Sequence, residues 1–189
     1  MMDHPIFLES IRFIRKELVE MNGDPLQKRV IERMIHTCGD FGIQSFLRFS
    51  PNACQLGLRA LKNGAQIIAD TSMATVAIQP MAKRTINASV HNILDWAPNE
   101  ISKEQTRSAL GMKNILKNLD FGSNPINRPI FVIGSAPTAL ETLLDLVSHG
   151  NISPSLIIGM PVGFVGVAKS KERLIKTDLP FIVLEGTRG

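Results

Sequence analysis

Of the four histidines, His4, His36, His91 and His149, it is His36 whose neighbours suit proton transfer. It falls in the last turn of a helix expected to run from Asp24-Pro25 to Gly39, with Arg33 one turn back on the same face and Thr37, Cys38 and Asp40 around the helix end. The negative end of a helix dipole favours imidazolium, and a nearby guanidinium opposes it. Both influences act on a side chain whose chemistry suits giving and taking a proton. Two readings stand side by side here: an acid-base group, or a histidine that only complements a helix end. Cys38 as nucleophile with His36 as base fits less well, because residues two apart on a helix point to different faces. His149, just before Gly150, reads as a helix-end histidine. No pair of histidines has metal-ligand spacing on a helix, so no metal site is expected.

Two turns are the other places where chemistry could sit. Gly134-Ser135-Ala136-Pro137-Thr138 leads from a strand into a helix, and Thr138 with Glu141 has the spacing of a capping box. The helix N-terminus there is suited to an anion; equally, the turn is a tight connection that binds nothing. Gly159-Met160-Pro161-Val162-Gly163-Phe164-Val165-Gly166 is glycine-rich but matches neither a dinucleotide fingerprint nor a P-loop. Its glycines around Phe164 and Val165 suit close backbone approach to a large flat or apolar ligand, or simply packing on neighbouring loops.

The elements that must position these groups follow from apolar spacing. Asp3 and Pro5 suit the start of a first helix with Phe7, Ile11, Ile14 and Leu18 inward, broken at Asn22-Gly23. A second helix carries Val30 and Met34 inward and stops at Gly39. A strand is expected over 45–49, a short helix capped by Ser50-Pro51 and ending at Asn63-Gly64, and a buried strand over 66–69 running into Asp70. Between Ser72 and Pro98 the pattern predicts a short helix and a long connection. Ser102 with Gln105 predicts a capped helix carrying Ala109, Met112, Leu116 and Leu119, followed by a loop over 122–128. Three apolar runs, 130–133, 156–158 and 181–184, then alternate with helical stretches 138–148 and 167–176. Continuous apolar strands with helical crossovers predict a parallel sheet covered on both faces, a doubly wound three-layer α/β/α sandwich. Ligands of such sheets sit beyond the carboxyl ends of the strands, here 70–72, 134–138, 159–166 and 185–189.

With 189 residues, 44% hydrophobic and 20% charged, the chain is expected to form one domain, residues 1–189, around one core. Its 21 Lys+Arg exceed its 17 Asp+Glu for a net charge of +4, but they form no block and there is no tyrosine. That argues against nucleic acid and suits an acidic small molecule. Cys38 and Cys54 have no C-x-x-C spacing and read as reduced thiols. The N-terminus lacks a basic stretch leading into an apolar one, and no segment approaches ~18 uncharged apolar residues, so a soluble, cytoplasmic protein with no membrane contact is expected.

In order, several motifs resemble the precorrin-8X methylmutases of cobalamin biosynthesis. They are His4-Pro5-Ile6 with Ser10 and Ile14-Arg15, then Arg33-Met34-Ile35-His36-Thr37-Cys38-Gly39, Asn63-Gly64-Ala65, Asp70-Thr71 with Met73, and Arg107-Ser108-Ala109. The series continues with Ile133-Gly134-Ser135-Ala136-Pro137-Thr138-Ala139-Leu140 and with Ile158-Gly159-Met160-Pro161-Val162-Gly163-Phe164-Val165-Gly166, followed by Ser170-Lys171. The resemblance implies a flavodoxin-like sheet, a homodimer, no cofactor, and migration of a methyl group between adjacent ring carbons of a corrin precursor. It implies that His36 donates and recovers the proton. It makes Ser10, Arg33 and Arg107 substrate contacts, with Ser135, Thr138 and Gly163 lining the same ligand.

The family usually has Asn where this chain has Ser135, Gly where it has Ala77, and often Glu where it has Lys169. It also continues past an Arg-Gly pair with a Gly-Ser and a closing helix, so the resemblance implies an early end or a missing part of a wall. The competing reading from a different class is a non-catalytic flavodoxin-like protein that holds a phosphate or nucleotide at the turn from Gly134 to Thr138.

Overall fold

A computed structural model describes residues 4–18, 24–100, 103–121 and 128–189. By packing, the chain falls into two compact units, Met1–Leu47 and Arg48–Gly189.

The first unit is a helix pair followed by a 3-10 turn. Helix α1 (Pro5–Glu17) is capped by His4, whose Nδ1 accepts from the Ile6 N–H at 3.3 Å. Asp3, expected as the cap, lies outside the described residues, as does the Asn22-Gly23 break. Helix α2 (Pro25–Cys38) begins as its sequence predicts: Pro25 needs no donor, and the Asp24 carboxylate accepts from the Leu26 N–H at 3.0 Å. It ends at Gly39, in the left-handed region at φ +67°, whose N–H reaches the Ile35 carbonyl. Ile11 and Ile14 of α1 and Ile31 and Ile35 of α2 are buried. Across the pair, Arg15 grips the buried Glu32 with both arms of its fork, Nε to Oε1 at 2.7 Å and Nη2 to Oε2 at 2.9 Å. That bidentate bond fixes how the two helices are registered. Where a strand was expected from residue 45, a 3-10 turn (Phe41–Phe46) intervenes. Asp40 starts it by accepting from the Gly42 N–H at 2.7 Å.

The second unit is built on the sheet. Strands β1 (Leu47–Phe49), β2 (Ile67–Ala69), β3 (Val90–Asn92), β4 (Ile130–Ile133), β5 (Leu156–Gly159) and β6 (Phe181–Leu184) lie in the order β1-β6-β5-β4-β2-β3. The pairs β2 with β3, β2 with β4, β4 with β5 and β5 with β6 are parallel. Without β1, the order is that of flavodoxin, with the winding reversing between β2 and β4. Helices α5 (Arg107–Asn118), α6 (Pro137–Ser148) and α7 (Val167–Ile175) share one core with one face of the sheet, through Met112, Ile115, Leu140, Leu143 and Leu174 against Phe131, Ile133, Ile157 and Val183. Helix α3 (Ala53–Lys62) packs on the alternate side chains, with Gly57 beneath Leu156. The expected three-layer, doubly wound architecture is therefore present.

Three local expectations are corrected. The connection after β2 is a full helix, α4 (Ser72–Thr85), followed by the edge strand β3. Ser50 does not cap α3, which starts at Asn52 with φ +58°; instead its hydroxyl accepts from the Phe181 N–H at 2.8 Å. Helix α5 is capped by Thr106, which accepts from the Ala109 N–H at 3.2 Å, while Ser102 lies outside the described residues.

Close packing predicts one stability effect. A Cβ at Gly111 on α5 would stand 2.3 Å from the Ile93 carbonyl oxygen, a backbone atom. Gly111→Ala should therefore destabilise by about 1–3 kcal/mol from overpacking, although alanine is about 1 kcal/mol the better helix former. Urea unfolding midpoints measure it; a stabilised variant would contradict the close approach.

Candidate active site

In the first unit the helix pair brings together residues 26 apart in sequence. The Ser10 hydroxyl on α1 lies 2.7 Å from Nδ1 of His36 on α2. The ring of Phe7, one turn before Ser10, stands edge-on to the imidazole at 4.9 Å and 86°. The Arg33 guanidinium lies over the face of Phe7, 4.1 Å from its centroid. His36 is thus held through one ring nitrogen and a perpendicular ring contact. Nε2 is the nitrogen remaining for a ligand, and the exposed imidazole is open to one. Thr37 is not part of this set, since its hydroxyl donates to the Arg33 carbonyl at 2.8 Å. The Cys38 thiol is directed at the carbonyls of Ile35 and Asp40, as expected for a cysteine that is not paired with His36.

In the second unit the predicted residues cluster around the carboxyl ends of the strands. Arg107 is the first residue of α5 and exposed. The hydroxyl of its neighbour Thr106 meets that of Thr138, on the first turn of α6, at 2.7 Å. The N-termini of these two helices are therefore joined. Gly163, at φ +136°, lies in the turn after β5, and its N–H donates to the Thr187 carbonyl at 3.0 Å.

The expected capping box on α6 is absent. The helix begins one residue earlier, at Pro137, so the cap is Ala136, whose methyl group has no acceptor to offer. Glu141 instead pairs with Arg173 of α7. The anion at this turn belongs to the protein: the fully buried Asp70, at the end of β2, accepts from the N–H groups of Gly134 at 2.9 Å, Ser135 at 2.8 Å and Ala136 at 2.7 Å. In a flavodoxin-like sheet a phosphate would use these donors at the switch point. Here a carboxylate already fills them.

His149 behaves as a helix-end residue, its Nδ1 2.6 Å from the Asp145 carbonyl oxygen. Burial pushes the His91 imidazole below its ordinary value, and Asp95 partly offsets this. Among the described residues no group of His, Cys, Asp and Glu could hold a metal ion, and no helix is long and apolar enough to cross a membrane.

The sequence places Asp70 at the carboxyl end of a strand and Lys171 within a family motif, but the contacts of these two and of Thr106 at this end of the sheet are not legible in it. Asp70 could have been suspected as a carboxylate closing a wholly apolar strand. Lys171 had a clearer signal, since it shares the apolar stripe of α7 with Val167, Ser170 and Leu174, all four buried. Thr106 had none.

Fold and site together define a flavodoxin-like α/β protein whose switch-point cradle is filled from within by a carboxylate. The chain belongs to the precorrin-8X methylmutase family, an isomerase family of cobalamin biosynthesis, whose model matches residues 5–189. It is 36% identical to a cobalt-precorrin-8 methylmutase of Priestia megaterium, covering 96% of this chain and 79% of that one. It is also 36% identical to a precorrin-8X methylmutase of Pseudomonas aeruginosa, covering 97% and 87%. A solved precorrin-8X methylmutase from Thermus thermophilus superposes with a TM-score of 0.84 at 33% identity, over 97% of this chain and 87% of that one.

Proposed function

We propose that this chain, working as a single methylmutase domain, catalyses methyl migration from C-11 to C-12 of precorrin-8X or of its cobalt form, giving hydrogenobyrinic or cobyrinic acid. The observation that carries the mechanism is the Ser10–His36 contact at 2.7 Å. With Nδ1 held, protonated His36 gives the Nε2 proton to the substrate and so polarises the conjugated system. The C-11–methyl bond breaks as the C-12–methyl bond forms, and the proton returns to His36. A 1,5-sigmatropic shift of this kind needs no nucleophile, metal or redox cofactor of the protein; it needs an acid and a pocket that holds the macrocycle in a reactive shape. Arg33 and Arg107 bind the substrate's carboxylates, with Ser135 and Thr138 as further donors and Gly163 giving room to the ring. The net charge of +4 suits a polyacid.

Relatives at equal identity are named for the metal-free and for the cobalt substrate, so both belong in any assay. The phosphate-binding alternative is disfavoured because Asp70 occupies the amides it would use. Titration distinguishes the two: hydrogenobyrinic acid should perturb the protein saturably while flavin and nicotinamide nucleotides should not, and the reverse would reject the methylmutase reading.

The protein acts as a cytoplasmic homodimer in which the neighbouring subunit completes the pocket. Exposed apolar side chains at the carboxyl end of the sheet support this: Phe164 is 93% exposed, Val165 88% and Met73 81%. Light scattering is expected to give twice the mass of one chain. A fully active monomer at high concentration would rule the dimer out.

A further inference from the structure

Lys171 is the most deeply buried cationic side chain among the described residues, and the proposed mechanism does not use it. It is 1% exposed on the apolar face of α7. Its ammonium has no carboxylate partner among the described residues. It donates to the Gly186 carbonyl at 3.1 Å and to the Arg188 carbonyl, both in the segment following β6. Between those two carbonyls, the Thr187 carbonyl accepts from the Gly163 N–H at 3.0 Å. Residues 186–188 are therefore gripped alternately, by a lysine through two carbonyls and by the turn after β5 through the third. The packing is close, since a Cβ on Gly189 would stand 2.4 Å from the Met160 carbonyl oxygen.

The segment so held bears on an exposed part of the molecule. Gly163 at φ +136° and Gly166 at φ +74° bracket Phe164 and Val165, which lie at the carboxyl ends of the strands, where a doubly wound sheet receives its ligand. An apolar pair carried between two permissive glycines has no packing of its own to fix it. Within one chain, its position comes from what holds the glycines.

We propose that Lys171 is a positioning residue for substrate binding: through the carbonyls of Gly186 and Arg188 it fixes the 186–188 segment, which holds Gly163 and so sets Phe164 and Val165 as the platform for the flat face of the substrate. This rests on the methylmutase reading above. A lysine fits the task because a flexible stem carries a charged head with several donors to two carbonyls at once, where methionine of similar volume would offer a donor to neither. Burial also draws its pKa down to about 8, the sign of an ammonium whose partners are dipoles alone.

Lys171→Met and Lys171→Gln in the full chain test this, with hydrogen exchange at the Gly163 amide and steady-state kinetics on precorrin-8X as readouts. In the Met variant the Gly163 amide should exchange about tenfold or more faster as its bond to Thr187 loosens. KM should rise about tenfold with kcat within about twofold, because a binding platform contributes equally to ground and transition states. The Gln variant, which keeps two donors on a shorter arm, should fall between, with KM up about threefold. A lysine that only stabilises the fold would lower the melting temperature and leave KM and Gly163 exchange at parent values. That result in the Met variant, or in the Gln variant should the Met variant not fold, overturns the proposal, as does a fall in kcat with KM unchanged. Should the parent itself not convert precorrin-8X, the methylmutase reading fails, while Gly163 exchange still reports whether Lys171 holds the turn.

Discussion

His36→Ala is expected to lower the rate of precorrin-8X conversion by about 10²–10⁴, the usual cost of losing a general acid, while the protein stays folded and still binds product. The imidazole is exposed, so its removal returns the Ser10 hydroxyl to water and gives up the Phe7 contact, but keeps the buried part of the α1–α2 interface, built on Ile11, Ile14, Ile31, Ile35 and the Arg15–Glu32 pair. A histidine that only complemented the helix end would give the opposite pattern. Stability would fall by about 0.3–2 kcal/mol and turnover per folded molecule would not change. Arg33→Ala is the control: losing a carboxylate contact should raise KM and weaken product binding together, leaving kcat nearly intact. Single-turnover absorbance traces on matched folded concentrations separate these cases.

Asp70→Ala should be the most destabilising substitution among the residues discussed, at about 3–5 kcal/mol, because three amide donors lose their acceptor at once. The carboxylate is fully buried, and it is the acceptor for three successive N–H groups that face away from any strand or helix partner. Alanine leaves all three donors without their acceptor, each a cost of about 1–3 kcal/mol less what water regains at the exposed Gly134 and Ser135. Asp70→Asn should lie between, since one amide oxygen still accepts but the NH2 group meets other donors. Urea unfolding measures both; a loss below about 1 kcal/mol for alanine would mean that solvent already serves those amides.

The regions legible in the sequence share one property: their signals are local. The run from β4 to β6 reads from continuous apolar strands and helical crossovers, and α2 from Asp24-Pro25 at one end and Gly39 at the other. The edge strand β3 went unseen because Val90-His91-Asn92 is short and half polar, and its pairing with β2 is the only thing that makes it a strand. The helix before it was shortened because Pro80 lies inside and only Thr75 and Ala82 of its residues are buried, leaving little apolar periodicity. The strand read over 45–49 starts only at Leu47, because Asp40 first turns the chain into a 3-10 helix that runs through Ser45 and Phe46. The site divides in the same way. His36 and Arg33 could be singled out from spacing on one helix, whereas the bond from Ser10 and the contact of Phe7 depend on how two helices pack. The capping box read at Thr138 and Glu141 fails because a carboxylate 64 residues before Gly134 takes the amides of the turn. No local pattern carries that information.

The most direct measurement is incubation of the purified protein with precorrin-8X and, separately, with its cobalt form, following each absorbance spectrum and identifying the products by mass and NMR. At least one is expected to be converted without added cofactor, with unchanged mass and the migrating methyl now on C-12. Spectra that remain those of the starting materials for both substrates, with a folded protein present in stoichiometric amount, would contradict the proposed function.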